Sequence, residues 1–235
     1  MKKVMLFCGL VLAATLSKAQ QMKYLVGANT GVFTLHGPST EKVSSINAYS
    51  LSAEKGYTNN PFSSNLGGAY GVSAQVQRFT KGRLVFGAGL GYEFMQNNME
   101  INQVYGPNGN MPVAAKGRST VTYQFINVNP FIGYRFALDC LQLELTAGAD
   151  IATPLKAHEE GEATDHNGNS VKTSLDRTLE ITDIRERLQA TAYYKKTGLT
   201  ISYSNGLSNY LTGWVGGTNL AYSRVLRIGL VYKIN

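Results

Sequence analysis

A strict alternation of side-chain character with a period of two is the feature that most constrains this chain. From Leu84 to Phe94 every second residue is apolar, and the residues between them are mostly glycine, ending in Glu93. The apolar set is Leu84, Phe86, Ala88, Leu90, Tyr92 and Phe94. Successive side chains of a β-strand point to opposite faces of the sheet. The segment is therefore predicted to be a strand with one apolar face and one small or polar face.

The same alternation recurs along the chain and predicts about eight strands. It is clear over Ile126–Phe136, Leu141–Ile151, Leu188–Tyr194 and Leu226–Ile234, and weaker over Tyr24–Leu35, Gly68–Phe79 and Leu199–Tyr203. Three connections are short turns, namely Thr80–Arg83, Ala137–Cys140 and Lys195–Gly198. Four are long and polar, namely His36–Gly67, Asn97–Ser119, Pro154–Asp183 and Asn205–Gly217. Alternating short turns and long loops are typical of an outer-membrane barrel.

A membrane location follows from which face is apolar. The residues between the apolar positions are glycine, Thr, Gln, Asn and charged residues, which could not form a dry core. Strands in lipid must pair every backbone group, so the sheet must close. We therefore expect an all-β fold: a closed antiparallel up-and-down transmembrane β-barrel with its apolar face in lipid, short periplasmic turns and long extracellular loops.

Aromatic residues on the apolar face give an independent indication. They cluster near the two ends of the predicted strands, as the belts at the two lipid–water boundaries do. Near the short turns lie Tyr24, Tyr134, Phe136, Tyr194 and Tyr232, and near the long loops lie Tyr70, Tyr92, Phe94, Tyr203 and Tyr222. The β-propensity of Tyr and Phe explains their presence in strands but not their shared face.

The first residues are predicted to direct export. Lys2 and Lys3 precede an apolar stretch from Val4 to Leu16, and Ser17 and Ala19 are small residues placed for cleavage after Ala19. This predicts a signal peptide over residues 1–19 and a barrel domain over residues 20–235, in the outer membrane of a Gram-negative bacterium after passage through the periplasm. Cys140 would be the single cysteine left, so the exported fold must be stable without an internal disulfide.

Composition excludes other classes. The formal charge of +7 includes three lysines of the first twenty residues, and no dense basic run follows, which argues against a nucleic-acid partner. Beyond residue 20, no apolar run approaches the ~20 residues of a spanning helix.

With the strands placed, the chain resembles the PorT-like outer-membrane β-barrel family of Gram-negative bacteria. The stretches that carry the resemblance are Gly87–Phe94, Ile126–Phe136, Leu145–Asp150, Ile201–Leu207 and Leu226–Ile234. The resemblance covers nearly the whole mature chain and implies an eight-stranded barrel without an assigned activity. The chain departs from the usual aromatic C-terminus of such barrels, because it ends in Lys233-Ile234-Asn235.

Charged residues on the polar face predict a network inside the barrel. The set consists of Glu93, Glu144, Asp150, Arg135, Arg187 and Arg227. An eight-stranded lumen is narrow enough for side chains to fill, and ions of both signs confined there are expected to pair. We interpret the set as a structural plug, with a gated ion path as the alternative.

Other candidate sites are weaker. Asp165 to Asn169, with Asp176, matches part of a calcium loop, but Ser170 replaces the required glycine, so a polar surface turn is favoured. His158, beside Glu159, Glu160 and Glu162, could attract a divalent cation, although a loose acidic loop over 154–183 is the commoner case. Trp214 is either a surface contact or a rim anchor.

No nucleophile motif, metal centre or cofactor site is predicted. We therefore expect a non-enzymatic outer-membrane protein with a structural or surface-interaction role. Its partners would be outer-membrane lipid, the barrel assembly machinery and an extracellular ligand or protein at the long loops. The alternatives are a narrow channel, transport or secretion component, and a membrane-embedded hydrolase or lipid-modifying enzyme with Asp165 or His166 at the loop rim.

Overall fold

The computed structural model describes residues 22–49, 55–106, 111–179, 181–213 and 218–235, and within them the fold is all-β. No helix long and apolar enough to cross a membrane is present in these ranges. The eleven strands are β1 (Met22–His36), β2 (Val43–Ala48), β3 (Lys55–Thr58), β4 (Gly67–Phe79), β5 (Leu84–Tyr105), β6 (Val113–Leu138), β7 (Leu141–Asp165), β8 (Ser170–Asp176), β9 (Asp183–Tyr194), β10 (Thr197–Gly206) and β11 (Tyr222–Lys233). The predicted signal peptide and Trp214 lie outside the described residues.

Eight of the strands pair antiparallel in a closed ring, which we call the large ring. The order runs β9-β10-β11-β1-β4-β5-β6-β7, and β7 returns to β9 through pairing of Gln142–Ala152 with Asp183–Tyr193. The N- and C-terminal strands β1 and β11 are neighbours, as Leu25 opposite Lys233 illustrates. Closure leaves no unpaired strand edge in this ring.

The three short connections of the large ring lie at one end, which we call the short-turn end. Each contains one non-glycine residue in the left-handed region: Arg83 (φ 67°), Asp139 (φ 33°) and Lys195 (φ 53°). A left-handed residue lets a tight turn match the twist of its two strands. All three connections lie within the turns predicted from the sequence: Thr80–Arg83 coincides, and the other two connections are two residues shorter than predicted.

A second, smaller ring stands on the other end of the large ring. It consists of β2, β3 and β8 together with the far halves of β5, β6 and β7. β2 pairs parallel with β5 from Glu100 to Tyr105, and β8 pairs with β7 from His158 to Thr164. A short parallel pairing of Lys55 and Gly56 with Lys172 and Thr173 joins β3 to β8 and closes this small ring.

The small ring corrects the prediction of long polar loops. Of the predicted loop Asn97–Ser119, all but the tip continues β5 and β6, and Pro154–Asp183 contains the end of β7, all of β8 and the first residue of β9. The strand count of about eight therefore describes the large ring alone. The sequence pattern did not show the extensions because the polarity of the two strand faces changes there, and on β7 a bulge at Leu155, which has no partner on β6, also shifts the alternation by one residue.

That change of polarity is visible along β5. From Leu84 to Phe94 the outward side chains are apolar, and Leu90 is 58 % exposed. Beyond Phe94 the outward residues are Gln96, Asn98 and Glu100. The inward side changes in the opposite sense, from Glu93 to Met95, Met99 and Ile101, which are buried.

The same inversion occurs at the same height on the neighbouring strands. On β6 the outward residues change from Val128 and Ile126 to Gln124 and Thr122, and Gln124 lies opposite Phe94. On β7 they change from Ile151 to Lys156, which lies opposite Gln124. The large ring is thus apolar outside and polar inside, whereas the small ring is polar outside and has an apolar core that includes Ile46, Met99 and Ile101.

Candidate functional site

The interior of the large ring holds a cluster of six buried or nearly buried ionisable side chains. They are three carboxylates and three guanidinium groups, so the formal charges cancel. The members are Glu93, Asp150, Asp183, Arg185, Arg187 and Arg227. They lie on β5, β7, β9 and β11, whose inward faces converge on the axis of the ring. An ion in such a confined interior is stable only when it is paired.

Glu93 is the centre of this cluster. Its Oε1 accepts a 2.6 Å hydrogen bond from Nε of Arg227, and its Oε2 accepts bonds from Nη2 of Arg227 at 3.0 Å and from Nη1 of Arg185 at 3.2 Å. Asp150 extends the network, with Oδ2 at 3.3 Å from Nη2 of Arg227 and Oδ1 at 3.1 Å from Nη1 of Arg187. One glutamate therefore pairs with two arginines that reach it from different strands.

A second ion pair lies nearer the short-turn end. Arg135 donates through Nε to Oε1 of Glu144 at 2.6 Å, across the β6–β7 pairing. The guanidinium carbon of Arg135 lies 3.6 Å from the ring centroid of Phe79, and Nζ of Lys233 lies 3.6 Å from that of Tyr193. Cations over aromatic faces are stabilised by the ring quadrupole. These contacts fill the interior at this end.

Apolar side chains close the interior at the other end. Phe33, Met95 and Phe125 are fully buried, and Tyr210 and Leu211 enter from the β10–β11 connection to pack on them. The Tyr210 hydroxyl donates to Oδ2 of Asp183 at 2.6 Å. Burial raises the pKa of Tyr210 well above its ordinary value, so the hydroxyl keeps the proton that it donates.

One small cavity lies between these two layers. A cavity of about 20 Å³ is lined by Asn29, Gly91, Asn127 and Arg187, among others. That volume accommodates about one water molecule. The arrangement can hold charges of both signs in place.

The structure divides the six residues predicted for the lumen network into two groups. Glu93, Asp150, Arg187 and Arg227 join the central cluster, and Arg135 and Glu144 form the separate pair. Asp183 and Arg185 were missed, because the predicted strand started beyond them. Their signal was present, since Arg185 continues the polar alternation of Arg187, Gln189 and Thr191.

The acidic segment considered for a cation is a paired hairpin of β7 and β8. Glu159 points into the small ring, where it accepts hydrogen bonds from Thr58 N at 2.9 Å and from Arg177 Nε at 2.7 Å. His158 Nδ1 lies 2.6 Å from Oδ1 of Asp176 on the exposed side, and this bond lowers the pKa of Asp176. Alternate residues of a strand point to opposite sides, so His158 and Glu159 diverge. Within the described ranges, no group of three or more potential metal ligands converges.

Asp165 closes the β7–β8 hairpin. Its Oδ1 accepts the backbone N–H groups of Asn167 and Asn169, both at 2.8 Å, and its Oδ2 accepts the Asn169 side-chain amide at 2.9 Å. The bond from the Asn169 side chain, followed by that from its backbone, lowers the pKa of Asp165. Its carboxylate therefore organises a turn, and His166 lies exposed in that turn.

The outer side of the small ring carries aromatic and amide groups in one lateral row. Tyr57 of β3 lies opposite Asn47 of β2, and Asn47 lies opposite Tyr105 of β5. Exposed Tyr49 packs beside Tyr57, with 5.7 Å between the ring centroids. Tyrosine combines a flat apolar ring with a hydroxyl, a combination common at binding surfaces.

Comparison with known proteins adds two distant structural similarities. The chain is similar to Neisserial surface protein A (NspA) at 10 % identity and a TM-score of 0.37, over 90 % of this chain and 97 % of that one. It is similar to Ail, the attachment invasion locus protein of Yersinia pestis, solved with the heparin analogue sucrose octasulfate, at 9 % identity and a TM-score of 0.35, over 91 % and 99 % of the two chains. No family model and no curated protein matches. The PorT-like resemblance therefore stays a prediction, and the assignment of function depends on the geometry.

Proposed function

We propose that this chain is a non-enzymatic integral outer-membrane β-barrel protein of a Gram-negative bacterium. In this proposal the large ring spans the membrane with a lumen closed by paired charges, and the small ring stands outside the cell as a surface-interaction module. The short-turn end then faces the periplasm.

The observation that carries the proposal is the inversion of both strand faces at one height on β5, β6 and β7. A water-soluble protein gains nothing by exposing Leu84, Leu90, Ile132 and Leu145, since large contiguous apolar surfaces are rare on soluble monomers. Hydrocarbon around the large ring and water around the small ring account for both polarities. At 3.3 Å per residue and the usual tilt, Leu84–Phe94 covers a height of about 25 Å, the thickness of the apolar band of such barrels.

Location is tested by fractionating the native cell envelope and following heat-modifiable mobility. We expect the protein in the outer-membrane fraction, resistant to extraction with sodium carbonate and migrating faster in gels before boiling than after it. A closed ring that stays folded in detergent causes that shift. Recovery in the soluble periplasmic fraction would contradict the proposal.

The small ring supports the interaction part of the proposal. Its outward surface is polar, and the row Tyr57–Asn47–Tyr105 offers flat rings beside an amide.

The enzymatic alternative would require a reacting group at Asp165 or His166, and the Asp165 carboxylate is committed to three N–H donors.

A narrow channel is the second candidate, favoured only by the presence of charges in the lumen. We expect purified protein in planar bilayers to give no discrete conductance steps, because apolar side chains close one end and ion pairs fill the rest. A pore-forming outer-membrane protein prepared in the same detergent is the control. Reproducible unitary steps from the purified protein would favour the channel instead.

A further inference from the structure

Four exposed cations surround the short-turn end of the large ring. They are Lys81 and Arg83 in the β4–β5 turn and Lys195 and Lys196 in the β9–β10 turn. Asp139 is the exposed acid of the β6–β7 turn at the same end. The exposed charge at this end is therefore strongly positive.

These cations are free of carboxylate partners, unlike many charges of the small ring. Within the part of the chain that the structure describes, none of the four forms a salt bridge, and Nζ of Lys196 donates to the carbonyl of Ile234 at 3.3 Å. On the small ring, Lys156 pairs with Asp176 and Lys172 with Glu162, whereas Lys42, Lys55 and Lys116 form no ion pair among the described residues. Four unneutralised cations at one end form a surface complementary to anions.

The topology spreads these charges around the ring. Going around it, β1 and β11 separate β4 from β10 on one side, and β6 and β7 separate β5 from β9 on the other. The two basic turns thus lie on opposite sides of an eight-stranded ring. A compact protein partner would contact one side, whereas a lipid annulus contacts both.

The cations also lie beside the aromatic residues of the membrane boundary. Tyr194 precedes Lys195 directly, and Nζ of Lys195 lies 5.3 Å from the Tyr194 ring centroid. Arg83 directly precedes Leu84, the first outward apolar residue of β5. Aromatic belts mark the level of the lipid headgroups, so the four cations lie where phosphate groups lie.

From this geometry we infer that the short-turn end is a binding collar for anionic phospholipid headgroups of the periplasmic leaflet. The inference rests on the proposed membrane location. Basic side chains near an anionic membrane surface are attracted to it, and salt screens this attraction. The collar holds the barrel at a fixed depth and enriches anionic lipid around it.

The test uses full-length mature protein refolded into phosphatidylcholine vesicles that contain phosphatidylglycerol. Electron spin resonance of spin-labelled phosphatidylglycerol and phosphatidylcholine measures the relative association of each lipid with the protein. We expect a preference of roughly threefold for phosphatidylglycerol, which disappears in the variant K81Q/R83Q/K195Q/K196Q and in about 1 M salt.

A control variant with the same change in net charge is K42Q/K55Q/K116Q/K172Q, which alters four exposed lysines around the small ring. It should keep the preference. Heat-modifiable mobility reports whether each variant is folded. If the fourfold variant does not fold, the double variants K81Q/R83Q and K195Q/K196Q replace it. Each of them should lose part of the preference for phosphatidylglycerol.

The outcomes separate the two proposals. Failure of the wild-type protein to insert into pure phosphatidylcholine would overturn the membrane assignment. Insertion without a preference for phosphatidylglycerol, or with one that the collar variant retains, would overturn only the collar. Binding of a soluble acidic polypeptide by the collar without any lipid preference would also overturn it, in favour of a protein partner.

Discussion

Replacing Glu93 by Gln should destabilise the protein by about 3–5 kcal/mol, the cost of leaving buried ions without their partner. Glu93 pairs with Arg185 and Arg227, which are 0 % and 2 % exposed. Without its charge, the cluster of three acids and three arginines carries a net positive charge away from bulk water. The measurement is urea unfolding in detergent micelles or vesicles, followed by heat-modifiable gel mobility.

Two further variants make this result specific. Glu160→Gln removes a carboxylate that is exposed on the outer side of β7 and should change stability by no more than about 0.5 kcal/mol. The double variant Glu93→Gln/Arg227→Gln restores charge balance, so its loss should be smaller than the sum of the two single losses. Equal unfolding midpoints for wild type and Glu93→Gln would show that the ion cluster does not hold the lumen together.

Replacing Leu90 by Arg should cost about 2–4 kcal/mol and reduce insertion into vesicles, because this position lies near the middle of the apolar band. Leu90 points outward between Ala74 of β4 and Val128 of β6. In water the same change at a side chain 58 % exposed would be nearly neutral and would improve solubility. The size of the stability loss therefore distinguishes a membrane barrel from a soluble one.

The matched control is Leu66→Arg, the same substitution just before β4. Leu66 is 64 % exposed, and its carbonyl accepts a hydrogen bond from Asn98, which lies on the polar side of the inversion. We expect a change between about 0 and 1 kcal/mol there, as for charged residues near a membrane interface. Similar effects at Leu66 and Leu90 would contradict the assigned band. The effects of both substitutions are measured by the folding yield in vesicles and by the midpoint of urea unfolding.

Much of the large ring could be predicted because its strands obey one rule along the whole length that they contribute to this ring. In Leu84–Phe94 the apolar residues occupy every second position without interruption, because one side of the strand meets a single environment. The short turns were predictable for a related reason. Thr80–Arg83 and Lys195–Gly198 interrupt the apolar alternation over very few residues, so the strands on either side of each turn are easy to delimit.

The small ring was missed because the rule that finds membrane strands fails where the environment changes. In β5, Met95, Met99 and Ile101 occupy the inward positions that glycine and Glu93 occupy earlier in the strand, so the polar residues move to the outward positions and the alternation no longer matches that of a membrane strand. Nothing local indicates that Ile46 of β2 packs on Met99 and Ile101, because that contact depends on a parallel pairing far apart in sequence.

The candidate site divides in the same way. The alternation of side chains along each strand was enough to place Glu93, Asp150, Arg187 and Arg227 on the inner face, because a strand allows each side chain only two directions. Which carboxylate meets which arginine depends on strand order and on the stagger between strands. Glu93 meets Arg227 across 134 positions of sequence, and Asp183 and Arg185 join them only because β7 pairs with β9 to close the ring. Thus local chemistry determined the faces, and long-range closure decided the partners.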